Sequence, residues 1–321
     1  MQKIAVTDYT FNDLDLEREI LEPLGCRIEA LKAGKGQELI DLVNDAVAVI
    51  TQYALIDATV VDAMQQCRVI ARYGIGVDNV DITAAAAENI PVCNVPDFCV
   101  DEVADHTLAM ILNLTRRITT NTLKVRSGAW GLGVSRDAMQ ALKRLTVGVV
   151  GFGRIGREVV ARLKPFKCPI LVFDPVVDAS VIQAADANAV SLDELIRGSD
   201  LITLHCPSTE VSRHIINAES ISRMKDGVML VNASRGNLVH TEDCVSALRS
   251  GKIAAAALDV TDPEPIPPNH PLVSMDNVLI SAHIAAVSPQ ATKILRTTTA
   301  QTVARALQGE RLPNIVNGVA A

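Results

Sequence analysis

Positive charge is in short supply in this chain. It carries 30 Lys and Arg against 37 Asp and Glu, a formal net charge of −7. That balance leaves no basic footprint for nucleic acid, and no Lys/Arg cluster marks a membrane surface. Long apolar runs are absent too, so no stretch reads as a membrane span. The N-terminus, MQKIAVTD, runs straight into a strand-like pattern and lacks the regions of a signal peptide. Paired cysteine motifs are missing: seven cysteines, an odd number, lie scattered with no C-x-x-C. This reads as reduced thiols in a cytoplasmic protein rather than a disulfide framework, and nothing beside Cys93 and Cys99 has metal-ligand spacing. Aromatic residues make up only 3%. A chain poor in rings and rich in Val, Ile and Ala suits parallel sheets covered on both faces.

What is present is core material. Hydrophobic residues are 49% of 321, and that length suggests two domains. Residues 1–99 alternate apolar runs (Ile4–Thr7, Arg27–Leu31, Ala46–Thr51, Val69–Tyr73, Pro91–Val95) with helical patterns. Five strands alternating with helices imply a doubly wound parallel sheet. Asp101–Arg117 then reads as a helix apolar on most of its circumference, crossing into a second domain and supporting a dimer interface. Residues 120–145 carry the only tryptophan, Trp130, among glycines, and read as a partly irregular connection. From Thr146 six further strand runs begin at Val147, Ile170, Leu201, Val228, Ile253 and Val278. A last helical pattern from Pro289 to about Leu307 is expected to return to the first domain. The expected fold is α/β, with two doubly wound parallel-sheet domains: residues 1–99, residues 100–288, and a closing helix in 289–321.

The segment 146–174, TVGVVGFGRIGREVVARLKPFKCPILVFD, organises the second domain. An apolar strand leads into Gly151, Gly153 and Gly156 at G-x-G-x-x-G spacing, a helix follows, and a second strand ends at Asp174. Such a turn lets a pyrophosphate approach the backbone at a helix N-terminus. Asp174 stands where a carboxylate can accept from ribose hydroxyls, and it would repel a 2′-phosphate. Strand, turn, helix and acid together point to a dinucleotide site that favours NAD over NADP.

A hydride-transferring site also needs a cation for the substrate, an acid/base for the proton, and a group to tune that acid/base. The later strand ends offer one of each. Arg235 follows a strand and can hold a carboxylate with its planar fork. His283 ends the strand VLISAH, and an imidazole can both give and take a proton. Glu264 lies in DPEPIPPNHP (262–271), a stretch whose five prolines would hold it in one place. An adjacent carboxylate favours the imidazolium form.

These motifs, with several more in order, resemble the D-isomer specific 2-hydroxyacid dehydrogenase family over nearly the full length. They are RYGIGVDNVD (72–81), VADHTLAMIL (103–112), VGVVGFGRIG (147–156), HCPSTE (205–210), VNASRG (231–236), ALDVTDPEP (257–265) and SAHIAA (281–286). The resemblance implies a Rossmann NAD-binding domain and a flavodoxin-like substrate domain. It places the catalytic set on Arg235, Glu264 and His283. It implies cofactor contacts at Gly151, Gly153, Arg154, Ile155, Gly156, Asp174, Cys206, Pro207, Ala233, Ser234, Asp259 and Ala285. Substrate contacts are implied at Ile75 and Gly76, with Gln52, Tyr53 and Arg72 shaping the pocket. It also implies a homodimer. Two departures stand out. Gln52 and Tyr53 occupy the place where phosphoglycerate dehydrogenases tend to carry a basic residue, which weighs against a phosphorylated substrate. The stretch VCNVPDFCVDEVADHTL also resembles the C-terminal-binding-protein corepressors, but Ala286 replaces their pocket Trp. The rival expectation is therefore an NAD(H)-sensing interaction protein with vestigial activity.

Overall fold

The computed structural model describes residues 1–320. It divides into two compact units: residues 1–99 with the chain from Ser288 onward, and Val100–Val287.

The first unit is a five-stranded sheet of β1 (Gln2–Val6), β2 (Cys26–Ala30), β3 (Ala48–Thr51), β4 (Ile70–Arg72) and β5 (Val92–Cys93). Its order is β2-β1-β3-β4-β5 and every pairing is parallel. Parallel neighbours need crossover connections, and short helices supply them. Polar side chains start two of these helices. Asp57 accepts from Val60 N, and Asp81 accepts from Thr83 N and Ala84 N. All of β3 is buried, which explains its unbroken apolar run.

The helix Pro289–Gln308 belongs to this unit, capped at its start by Ser288 and ended by Gly309 in the left-handed conformation. Its Arg296 forms a bidentate pair with Glu17, at 2.9 and 2.7 Å. Tyr73 donates to the same carboxylate at 2.8 Å. Glu17 is fully buried, so this partner is what makes the charge tolerable there.

The second unit is a seven-stranded parallel sheet: β6 (Val147–Val150), β7 (Ile170–Phe173), β8 (Asn188–Ala189), β9 (Leu201–Leu204), β10 (Val228–Asn232), β11 (Ile253–Leu258) and β12 (Val278–Ile280). Their order is β12-β11-β10-β9-β6-β7-β8. The order reverses between β6 and β9, and a crevice opens at such a switch point. Apolar clusters cover both faces. Val149, Phe152, Val160 and Leu163 belong to one, and Leu195, Ile202, Leu204 and Leu230 to the other. Each fully buried aliphatic side chain of this kind contributes roughly 1.5–3 kcal/mol.

The doubly wound parallel architecture expected from the sequence is present in both units. Three details differ. The second sheet has a seventh strand, β8, whose two residues are too short and too exposed to leave an apolar run. The helix Ile118–Arg126 runs into the stretch 120–145, which was expected to be partly irregular. None of its residues is buried, so it lacks the apolar stripe by which helices are read. The helix Val100–Arg116 buries one face, through Val103, Ala104, Thr107, Met110, Ile111, Leu114 and Thr115. Asp105 and Ala109 are exposed, so it is not covered on all sides within its unit.

Candidate active site

The glycine turn sits at the carboxyl end of β6. Gly151 has φ +96°, open to glycine at little cost, and a Cβ there would lie 2.7 Å from the Cys206 amide and the His205 carbonyl. The turn thus packs directly on the end of β9. Gly156 is buried in the helix Arg154–Leu163, and a Cβ on it would lie 2.2 Å from Gly151 O. Gly153, the N-cap, is different: a Cβ there would meet nothing within 4 Å. No side chain caps this helix. Two glycines therefore let helix, turn and strand close on each other, and the third leaves open space beside an uncapped helix start. A pyrophosphate fits that arrangement.

Asp174, just past β7, faces the same turn. Its Oδ2 accepts from Phe152 N at 2.7 Å, and its Oδ1 accepts from Val176 N at 2.9 Å and Val177 N at 3.0 Å. Burial opposes its charge. These three amides and the nearby Arg157 outweigh that and hold the carboxyl below its ordinary range. Oδ1 is filled by its two amides, and Oδ2 keeps one acceptor position for a ribose hydroxyl. Cys206 lies beyond β9, where burial pushes its thiol up to about 11. That makes it a neutral wall. Its carbonyl accepts from Ser234 Oγ at 2.6 Å, tying the β9 and β10 ends together. Pro207 O accepts from Ser212 Oγ at 2.7 Å. The neighbouring His205 ring is 2.8 Å from Thr203 Oγ1, and burial takes its pKa down to about 3. It is neutral near pH 7 and does not compete as a proton donor.

Arg235, Glu264 and His283 follow β10, β11 and β12. Asn232, fully buried at the last position of β10, fixes the turn that presents Arg235. It donates to Arg235 O at 2.7 Å and accepts from Ser234 N at 3.1 Å, with Ala233 between them. Arg235 Nη1 donates to Ser234 O at 2.8 Å. A Cβ on Gly236 would lie 1.9 Å from Thr261 O, so this turn rests on the loop that carries Glu264. Glu264 Oε1 is 2.6 Å from His283 Nδ1. Its charge is opposed by burial, but His283, the Thr261 amide and Arg235 hold its carboxyl below the usual range.

Asp259 has a structural task at this rim. It is 1% exposed; its Oδ1 accepts from Ser281 Oγ at 2.5 Å and Ile284 N at 3.0 Å, and its Oδ2 from Ala285 N at 2.8 Å. Its backbone carbonyl accepts from His283 N at 2.7 Å. His283 has φ +53°, an uncommon conformation for a side chain with a Cβ, and these bonds hold it there. His106, from the helix Val100–Arg116, reaches Ser281 Oγ at 3.2 Å. Asn232, at a strand end expected to face the cofactor, and Ser281 and His106, which fall within quoted motifs, were given no role of their own by the sequence reading. Only a buried amide or hydroxyl at the end of an apolar strand marked the first two.

In the first unit, Gln52 and Tyr53 follow β3 and Arg72 ends β4. Ile75 O accepts from Asn94 Nδ2 at 2.6 Å, and Gly76 follows it in the same loop. The Arg72 guanidinium lies over Gly74, where a Cβ would meet Nη1 at 1.4 Å. No group of three or more potential metal ligands occurs among the described residues.

Comparison with known proteins identifies a family for the chain. Residues 108–285 match the family model described as "D-isomer specific 2-hydroxyacid dehydrogenase, NAD binding domain". A D-3-phosphoglycerate dehydrogenase of Methanocaldococcus jannaschii is 36% identical over 99% of this chain, but the chain spans only 60% of that relative. A glyoxylate reductase of Thermofilum pendens is 38% identical over 82% of this chain and 78% of its own length. The D-lactate dehydrogenase of Aquifex aeolicus, solved with NAD and lactic acid, superimposes with a TM-score of 0.87 at 28% identity, covering 96% of each chain. On sequence and on fold, the chain belongs to the D-isomer specific 2-hydroxyacid dehydrogenase family.

Proposed function

We propose that the protein interconverts a 2-oxo acid and an (R)-2-hydroxy acid. The observation that carries this reading is the 2.6 Å contact between His283 Nδ1 and Glu264 Oε1, beside Arg235 on the same sheet rim as the glycine turn. NAD, when bound, supplies or takes up the hydride. The residues proposed to hold it are Gly151, Gly153, Arg154, Ile155 and Gly156 at the pyrophosphate, and Asp174 at the ribose. Those proposed along its length are Cys206, Pro207, Ala233, Ser234, Asp259 and Ala285, with Asp259 acting through the backbone it orients. Arg235 is proposed to bind the substrate carboxylate and carbonyl oxygen with its fork. His283 gives a proton to the forming alkoxide in reduction and takes one from the hydroxyl in oxidation. Glu264 fixes the ring through Nδ1 and favours its charged form, leaving Nε2 as the atom that handles the proton. In the first unit, Gln52, Tyr53, Arg72, Ile75 and Gly76 are the proposed substrate contacts. Residues 1–99 with the chain from Ser288 onward are proposed as the substrate unit, and Val100–Val287 as the NAD unit.

Monitoring NADH oxidation across a panel of 2-oxo acids, hydroxypyruvate and phosphohydroxypyruvate included, tests this reading. Efficient reduction of at least one acid is expected. Binding of NADH with no acid turned over would instead favour the NAD(H)-sensing interaction protein. The Glu264–His283 contact makes a second prediction. Glu264 holds the imidazole through Nδ1, so that Nε2 meets the substrate. In Glu264→Gln, kcat for reduction should fall by about tenfold or more while NADH affinity holds. An unchanged kcat would show that the carboxylate does not position the proton donor.

A homodimer is also proposed. Ile118, Leu123, Val125 and Leu132 are exposed around Trp130, which is 92% exposed. Of these, Leu123 lines a cleft of about 560 Å³ together with Lys124 and Met275, among others. An apolar surface of this kind is expected to be covered by a second copy. Scattered free cysteines support a reducing, cytoplasmic setting.

A further inference from the structure

β3 and β4 end side by side. Thr51 pairs with Arg72, and Tyr73 N donates to Thr51 O at 2.8 Å. The residues beyond them, Gln52–Tyr53 and Gly74–Gly76, share one rim of the first unit. Ligands of parallel sheets lie against such carboxyl rims.

Consecutive backbone amides at a rim form a cradle for an anion. Here the Gln52 and Tyr53 amides make such a pair, and a carboxylate from the chain itself fills it. Asp8, just after β1, brings Oδ1 to 2.9 Å from Gln52 N and Oδ2 to 2.6 Å from Tyr53 N. Thr7 Oγ1 donates to Oδ1 at 2.9 Å. The residue is 6% exposed, and no ion pair reaches it among the described residues. Two cations of the first unit are engaged elsewhere. Lys32 lies 3.7 Å from the Tyr9 ring centroid and donates to Phe11 O. Arg296 is held by Glu17 and Asp13. Dipoles satisfy the Asp8 carboxylate without cancelling its charge, so its field persists at the rim.

The two adjacent strand ends therefore differ in sign. Arg72 lies over Gly74 beyond β4, and Asp8 stands behind Gln52 and Tyr53 beyond β3. We infer that Asp8 determines specificity: it occupies the anion cradle of the β3 rim and turns away substrates with a second negative charge at their distal end. The substrate class is then a 2-oxo acid with one carboxylate and an uncharged distal group, met by the half-exposed ring of Tyr53.

This inference rests on the proposed reduction of a 2-oxo acid, and one panel separates the two. The intact chain is assayed with NADH against hydroxypyruvate and 4-methyl-2-oxopentanoate, which have neutral distal ends. Phosphohydroxypyruvate and 2-oxoglutarate supply anionic ones. The best neutral-ended acid should exceed both anionic ones in kcat/KM by about tenfold or more. Asp8→Asn, which keeps the shape and removes the charge, should narrow that gap by on the order of tenfold. Tyr53→Arg, at an exposed position, should narrow it as well without disturbing the buried acid. If an anionic-ended acid equals the neutral ones in the wild type, or the gap does not move in the variants that fold, the inference is overturned while 2-oxo acid reduction stands. If NADH binds and no acid of either kind is reduced, the functional reading itself falls, and this inference with it.

Discussion

Replacing His283 with alanine should lower turnover of the best 2-oxo acid by about 10²–10⁴-fold, the usual contribution of a positioned proton donor. NADH should bind as tightly as before. The reason is local. The His283 side chain lies at the end of the β12 rim, 2.6 Å from Glu264, whereas the glycine turn that would receive the cofactor lies beyond β6. The substitution also relieves no packing, because the backbone of this segment is held by Asp259 through Ile284 N and Ala285 N rather than by the imidazole. Stopped-flow turnover paired with NADH fluorescence titration would check it. Wild-type kcat in the variant would remove His283 from the chemistry. A lost NADH affinity would show that the residue holds the fold of the rim instead.

Gly156→Ala should damage NADH binding through the backbone. The added Cβ would stand 2.2 Å from Gly151 O, and neither partner is a flexible side chain. The helix Arg154–Leu163 must move away from the turn. Overpacking of this kind costs about 1–3 kcal/mol, and the displaced helix start should weaken NADH by more than about tenfold. Gly153→Ala is the informative contrast. Its Cβ would enter open space, so the melting temperature should hold while NADH affinity falls. Unchanged affinity and melting point in the Gly156→Ala protein would mean that the close approach is not required. Normal NADH binding in the Gly153→Ala protein would mean that the pyrophosphate does not pass over that position.

The sequence was most readable where burial is complete. β3, β6, β9 and β10 are buried throughout, and their unbroken apolar runs mark them as strands of parallel sheets. The glycine turn was readable because its residues have few physical alternatives. What was not readable depends on partners distant in sequence. β8 has two residues and makes sense only beside β7. The helix 118–126 buries nothing in its own unit, so no periodicity betrays it. The sequence marked Asp259 as a cofactor contact, and only the fold shows it taking a hydroxyl and two amides more than twenty positions away. Asp8 is similar. Its bonds to Gln52 and Tyr53 span 44 and 45 residues, and β1 and β3 must pair before they can form.

The bond between Arg296 and Glu17 joins residues 279 positions apart, and it sets an order of events during synthesis. Glu17 leaves the ribosome early, yet its buried carboxylate has no Arg296 to meet until all the residues between them have been made. At about 5–20 residues per second that delay lasts on the order of half a minute. A buried charge without its partner costs about 3–5 kcal/mol, so the first unit must stay open around Glu17 for that interval. The unit Val100–Val287 waits for no later segment and contains all of its own strands once Val287 has emerged. Of the two units, the one whose first strands are made earlier is the one completed later.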